Sequence, residues 1–400
     1  MNGMNVLSES VSGYLNNASW IRRMFEAGAK LKAEYGNDKV QDFSLGNPDL
    51  PAPKEVREGL SQFLEHAHEP FAFGYMNNAG FPWLREKLAA YLSEEQGLAL
   101  SQEDVLLSCG AAGALNAFLR AVIDPGDEML CFAPYFVEYG FYVGNFGGKL
   151  KAVQTNTDTF EPDLQALKDA IGPKTKVVLI NSPNNPTGVV YSLDLLTKLC
   201  QLLAEQSQAI GHPIWLVSDE PYRFLAYDGA VVPSVLPLYP YSICVSSFSK
   251  NLSLPGERIG YAALSPELPE KAQVMAALTL TNRILGYVNP PVIGQQIMGH
   301  ALGSHVDKRI YEQRRKAMAE VLSNAGYEYL MPKGAFYFFP KAPGGDDVAF
   351  VNRLAKELVL AVPGSGFGQP GFFRLAFCVD ENVIRAAEPG FKRAREAFAK

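Results

Sequence analysis

The chain has 400 residues, 48% hydrophobic and 20% charged, with a net charge of −6. That length suits one large domain plus a smaller one, and an acidic balance without a Lys/Arg block argues against nucleic acid or an anionic membrane as a main partner. Cys109, Cys131, Cys200, Cys244 and Cys378 lie far apart without a C-x-x-C pair, as expected of core thiols in a reducing, cytoplasmic compartment.

No zinc-type spacing occurs among the five histidines, so no metal is assigned. No apolar run reaches ~18 residues, and MNGMNVLSESVSGYL lacks a basic segment followed by an apolar one, so neither a membrane span nor a signal peptide is expected.

Short β-rich runs alternate with amphipathic helical stretches, the pattern of a mainly parallel sheet with helices on both faces. Strands are predicted at 105–108, 128–132, 177–181, 214–218, 243–248 and 260–264. The intervening helices fall near 111–122, 163–171, 193–210 and 266–284. After Asn289-Pro290-Pro291 the character changes. A charged helix at 306–325 precedes strand-like pieces at 327–331 and 335–339, a helix at 346–357, a strand at 372–377 and a last helix at 381–399. We expect an N-terminal segment 1–47, a large domain 48–290 and a small α+β domain 291–400.

Several motifs sit at predicted strand ends. LSCGAAGAL ends a strand and opens a helix, so the free amides of Ala111 and Ala112 could cradle an anion; packing of small residues is the alternative. Phe136, in APYFVEY, is either a core aromatic or a stacking ring. SPNNPTG brings Asn185 just past the strand at 177–181, where a structural loop is the plain alternative. Asp219, in VSDEPY, follows an apolar run, where a carboxylate is costly without a cationic partner. G-x-G-x-x-G is absent, since GSGFG at 364–368 continues into Gln369 and Pro370, so NAD binding is rejected.

The segment SSFSKNLSLPGERIGY carries the most information. Lys250 leaves the apolar run 241–248, and a partly desolvated lysine has a lowered pKa and can form a Schiff base. Ser247, Ser249 and Arg258 supply two hydroxyls and a guanidinium fork, the donors a phosphate needs. An aldehyde and a phosphate together describe pyridoxal 5′-phosphate. Arg374, in FFRLAF, is a guanidinium in an apolar strand, paired either with a core acid or with a ligand.

The lysine segment resembles that of the class I/II, aspartate-aminotransferase-like members of the fold-type I pyridoxal-phosphate enzymes. It fits S-x-S-K-x-x-x-x-P-G-x-R-x-G at every fixed position from Ser247 to Gly260. FGYMNNAGFPWLR fits Y-x-x-x-x-G-x-x-x-L-R from Tyr75 to Arg85, and SLGNPDL, SPNNPTG and the other segments follow in family order. The resemblance implies an α/β fold with a mainly parallel seven-stranded sheet, and the smaller domain built from both terminal segments. It gives Asn185 and Tyr222 hydrogen bonds to the cofactor's phenolic oxygen, Asp219 a salt bridge to the pyridinium nitrogen, and Phe136 the stacking position. Arg374 becomes the bidentate clamp for a substrate α-carboxylate, with Gly46 beside it. Tyr75 would reach the phosphate of the neighbouring subunit, implying a homodimer with shared active sites.

Four positions depart from the family. Ala111 and Ala112 lack the hydroxyl many relatives carry, Pro221 replaces an aliphatic residue, and Arg283, a candidate for a distal substrate carboxylate, lies one residue out of register. The implied activity is ping-pong amino-group exchange between an L-amino acid and a 2-oxo acid, with aspartate-type, alanine, glutamate or aromatic substrates all open. A C–S β-lyase would use nearly the same residues. A non-catalytic regulator binding pyridoxal phosphate is the third reading, disfavoured because the sequence before Gly46 is short and not basic.

Overall fold

The computed structural model describes residues 6–16 and 20–398; the expected segment 1–47 and the last predicted helix therefore extend in part outside the described residues. The frame is a seven-stranded sheet of β1 Val105–Ser108, β2 Glu128–Ala133, β3 Lys149–Gln154, β4 Thr175–Asn181, β5 Trp215–Asp219, β6 Ser242–Ser247 and β7 Gly260–Leu264. The order is β1-β7-β6-β5-β4-β2-β3. Only β7 runs against its neighbours β6 and β1, and every other pair is parallel. The fold is the α/β architecture expected from the sequence.

Alternation along the strands sorts their side chains onto two buried faces, as period-2 geometry requires. Val177, Leu179 and Val217 pack with Leu115, Phe118 and Leu119 of helix Gly110–Val122. Val178, Ile180 and Leu216 pack on the other face with Leu196, Leu199 and Leu203 of helix Leu193–Ile210. Strand β3 escaped the sequence reading because it is an edge strand whose exposed Lys149, Lys151 and Gln154 hide its period. Helices Lys54–His66, Pro82–Gln96, Glu138–Gly144 and Val292–Ala301 were not anticipated either.

The remaining strands are short. Gln41–Asp42 pairs in parallel with Val359–Leu360, and Phe373–Ala376 lies antiparallel between Val362–Pro363 and Tyr337–Phe338. Three boundaries differ from the sequence reading. Helix Lys271–Ile284 starts late, after Pro269 and a left-handed Glu270. The piece at 327–331 forms no strand; Tyr327 is drawn into an aromatic cluster with Phe350, Phe373 and Phe391 and its hydroxyl donates to the Phe391 carbonyl. The last helix is two, Glu381–Ala386 and Glu388–Phe398, because Pro389 can open a helix but not sit inside one.

Candidate active site

Ligands in open α/β sheets sit outside the carboxyl ends of the strands. Here the ends of β4, β5 and β6 (Asn181, Asp219 and Ser247) open into a cavity of about 340 Å³. Lys250 projects into it from just past β6, and its Nζ donates to the Gly46 carbonyl at 2.7 Å. Burial, helped by the positive charges of Arg374 and Arg258, draws its pKa from 10.5 to about 8. About a tenth of the amine is therefore neutral at pH 7, and about half at pH 8, where it can act as a nucleophile.

Asp219 is the opposite case. Burial lifts its pKa from 3.8 to about 7, against the hydrogen bond from Tyr139. The Tyr139 hydroxyl donates to Oδ2 at 2.6 Å, whereas Oδ1 is buried without a partner. Asn181 fixes the loop around it: its amide donates to the Asp219 carbonyl at 2.8 Å, and its Oδ1 accepts from the Asn185 N–H at 2.7 Å. A buried carboxylate oxygen aimed at a cavity and lacking a donor fits a protonated ring nitrogen.

Arg374 is buried and has no carboxylate partner. Its Nη2 donates to the Ser44 carbonyl at 2.6 Å and its Nη1 to Asn185 Oδ1 at 3.1 Å, while Nε has no partner. The rings of Tyr337 and Phe367 each lie 4.8 Å from its Cζ. Burial lowers its pKa, as expected for a cation held by dipoles and rings alone. The alternative of a structural pair with a core acid is thereby removed. Tyr222 faces the same space, its hydroxyl 2.7 Å from that of Tyr337.

The far end of the cavity gathers groups that could hold an anion. Helix Gly110–Val122 opens with Ala111 and Ala112 on the cavity wall, facing Ser247, Ser249 and the exposed Arg258. Arg258 takes a left-handed backbone, φ 52°, a strained conformation that often marks a functional position. Its guanidinium lies so close to Gly110 that a Cβ there would come within 2.7 Å of Nη2. Gly260 is equally constrained, since a Cβ would meet the Gly110 carbonyl carbon and the Ser246 carbonyl oxygen at 2.6 Å. The two glycines let β7 and the helix-opening turn approach each other.

Of the residues singled out from sequence, Gly46, Ala111, Ala112, Phe136, Asn185, Asp219, Tyr222, Ser247, Ser249, Lys250, Arg258 and Arg374 all line this one cavity. Tyr75 does not; it is 92% exposed on a segment with the exposed Phe71 and Phe73. Arg283 also lies outside, exposed in the last turn of its helix. Sequence reasoning missed Tyr139, Asn181 and Tyr337. The signals were there: Tyr139 comes three residues after Phe136, and a buried tyrosine needs a hydroxyl partner.

A neutralisable lysine, an unpartnered carboxylate oxygen, an unpaired arginine and an anion cradle fit pyridoxal phosphate plus an amino-acid carboxylate. The sequence model of the family "aminotransferase class I and II" matches residues 38–388. An aspartate/prephenate aminotransferase of Thermus thermophilus is 32% identical, over 88% of this chain and 89% of that one. Among solved structures, an aminotransferase from Eubacterium rectale is 38% identical with a TM-score of 0.95 and full coverage of both chains. An aspartate aminotransferase of Thermus thermophilus with maleate is 30% identical with a TM-score of 0.87, covering 98% of this chain and 100% of that one. The chain belongs to the class I/II aminotransferases and is a transaminase dependent on pyridoxal phosphate.

Proposed function

We propose that this transaminase acts on an amino acid of the aspartate type and its 2-oxo acid partner, with Lys250, Asp219 and Tyr222 at the reacting centre and Arg374 as the carboxylate clamp. The observation that carries the residue roles is that Lys250, Asp219 and Arg374 face one cavity and none has a charged partner of its own. The aspartate preference is supported by the relatives named for aspartate and by the maleate-bound neighbour, maleate being a dicarboxylate.

Bound pyridoxal phosphate supplies a carbonyl carbon that joins an amine and a ring that accepts electrons from the substrate's Cα. The protein's part follows from its own groups. Ser247, Ser249, Arg258 and the amides of Ala111 and Ala112 would hold the phosphate, Phe136 the ring face, and Asn185 and Tyr222 the phenolic oxygen. Asp219 Oδ1 would accept a hydrogen bond from the ring nitrogen and keep its proton in place. The Arg374 fork receives the α-carboxylate, which orients the Cα–H bond. Lys250 Nζ, once free, takes that proton and returns it one position away as general acid–base.

Among the described residues, Lys250, Arg258 and Arg374 are the cationic groups lining the cavity. A second substrate carboxylate would then be met from outside it. We propose a homodimer in which Tyr75 reaches the partner's phosphate site and Arg283 is presented to a distal carboxylate. The exposed Phe71, Phe73 and Tyr75 and, on helix Lys271–Ile284, Leu280 and Ile284 are apolar surface of the kind an interface covers. The domain division at 47 and 290 is supported by the central sheet lying wholly within 105–264 and by the pairing of Gln41–Asp42 with Val359–Leu360. Helix Val292–Ala301 is the exception: it follows the break at 290 in sequence, yet its Met298 and Ala301 pack with Leu84 and Leu88 of the large domain. Among the described residues no helix is long and apolar enough to cross a membrane, and the five thiols are free, which supports a cytoplasmic setting.

The test is a single half-reaction. The loaded enzyme is mixed with L-aspartate, L-alanine or L-phenylalanine without an acceptor, and the absorbance of the lysine-linked cofactor is followed. Fastest loss with aspartate, with oxaloacetate as product, is expected. A faster reaction with alanine or phenylalanine would overturn the substrate assignment, and pyruvate plus ammonia from cystine without amino exchange would favour the lyase.

A further inference from the structure

Tyr337 is a buried aromatic that the roles above leave unused. It lies in Tyr337–Phe338, antiparallel to Phe373–Ala376 and opposite Ala376, which puts it on the same sheet face as Arg374 and diagonal to it. Three contacts converge on it. Its hydroxyl is 2.7 Å from that of Tyr222. Its ring lies under the Arg374 guanidinium at 4.8 Å. Its Oη occupies the space beside Gly46, where an added Cβ would come within 2.1 Å. Gly46 is also the residue whose carbonyl holds Lys250.

We infer that Tyr337 is a positioning residue joining the two halves of the site: its hydroxyl orients and polarises Tyr222, and its ring holds the plane of the Arg374 clamp. The inference rests on the reading of Tyr222 as a donor to the cofactor's phenolic oxygen. Each hydroxyl has one proton. If Tyr222 spends its own on the cofactor, the short contact between the two tyrosines requires Tyr337 to donate to Tyr222. Donation into a hydroxyl strengthens that hydroxyl's outgoing bond. The titratable and charged groups facing Tyr337 are Tyr222, Arg374, Cys378 and Tyr311. None of them is a carboxylate that would compete for its proton. The Tyr337 and Phe367 rings each lie 4.8 Å from the Arg374 Cζ, and cation–π contacts from both restrict the guanidinium, which suits a fork that must meet two carboxylate oxygens together.

Substitution separates the two functions. Tyr337→Phe removes the hydroxyl and keeps the ring, whereas Tyr337→Leu removes both. The first readout is the pH midpoint of the absorbance change of the bound, lysine-linked cofactor, which a merely structural tyrosine would not move. Tyr222→Phe is expected to raise that midpoint by about one unit, from the loss of one hydrogen bond to a charged oxygen. Tyr337→Phe should raise it in the same direction by about 0.3 unit and leave the half-saturating amino-acid concentration unchanged. Tyr337→Leu should raise that concentration about five-fold as well. A midpoint unmoved by Tyr337→Phe, in protein that binds the cofactor and melts as the parent does, overturns the inference. If Tyr222→Phe still shifts the midpoint, the role of Tyr222 survives; if neither shifts it, that role falls too.

Discussion

Replacing Asp219 by Asn should stabilise the cofactor-free protein and cripple the enzyme. Asp219 is buried, and its pKa stands at about 7 in the fold against 3.8 for the free side chain. Where the folded pKa is the higher one, the folded chain binds the extra proton between the two values. Stability therefore falls as pH rises from about 4 to about 7 and stays at the lower level above. A gap of about three pH units at about 1.4 kcal/mol each amounts to about 4 kcal/mol at pH 8. Asparagine carries no charge and its oxygen can still accept from Tyr139, but its amide is left without an acceptor, at about 1–3 kcal/mol. The net gain at pH 8 is about 1–3 kcal/mol, shrinking to about zero at pH 5, where most of the native carboxyl is already protonated. Thermal unfolding of cofactor-free parent and Asp219→Asn at one protein concentration, at pH 5 and pH 8, reads this directly. With pyridoxal phosphate added the order should reverse, because only the carboxylate gains a partner. An asparagine variant that is less stable than the parent at pH 8 without cofactor would refute the claim that this carboxylate is held under an unfavourable desolvation load.

Arg374→Lys keeps a cation but loses the fork, so the half-saturating amino-acid concentration should rise on the order of 30-fold, about 2 kcal/mol, with cofactor absorbance unchanged; steady-state kinetics reads it. Tyr139→Phe removes the donor 2.6 Å from Asp219 Oδ2, so the cofactor's dissociation constant should rise about tenfold, measured by equilibrium titration of cofactor-free protein. Lys250 has its folded pKa lowered to about 8, so its neutral fraction grows as pH rises through that value. The rate of pyridoxal phosphate uptake by cofactor-free protein should climb through about pH 8, and Lys250→Ala should show neither the climb nor catalysis.

Much of the site was legible because its chemistry sits at strand exits that period and composition reveal. Lys250, Asp219 and Asn185 each follow an apolar run, and each run proved to be a strand of the central sheet. What stayed hidden depends on contacts between distant segments. Tyr139 meets Asp219 across 80 positions and Tyr337 meets Tyr222 across 115. GAFYFF reads as core, and all six of its residues are buried; no local pattern says that one hydroxyl in it faces the cavity. The edge strand β3 was missed because one exposed face and one exposed margin leave little hydrophobic period to read. Arg283 and Tyr75 carried motif signals yet lie outside the cavity, and only the proposed dimer would bring them to it.

Residues 44–50 cross the site as a strap. The Ser44 carbonyl receives Arg374, the Gly46 carbonyl receives Lys250, Asp49 pairs with Arg314 through two bonds, and the Leu50 carbonyl receives Ser253. Only the outlying arginine is given a true counter-ion. The two cavity cations that the strap touches, Lys250 and Arg374, rest on neutral peptide dipoles, which satisfy a donor without neutralising it. A carboxylate in their place would compete with every incoming substrate, and bare cations would grip every product. Idling on peptide oxygens keeps both exchanges close to balanced, which suits a catalyst that must admit and discharge two different acids through one door in every cycle.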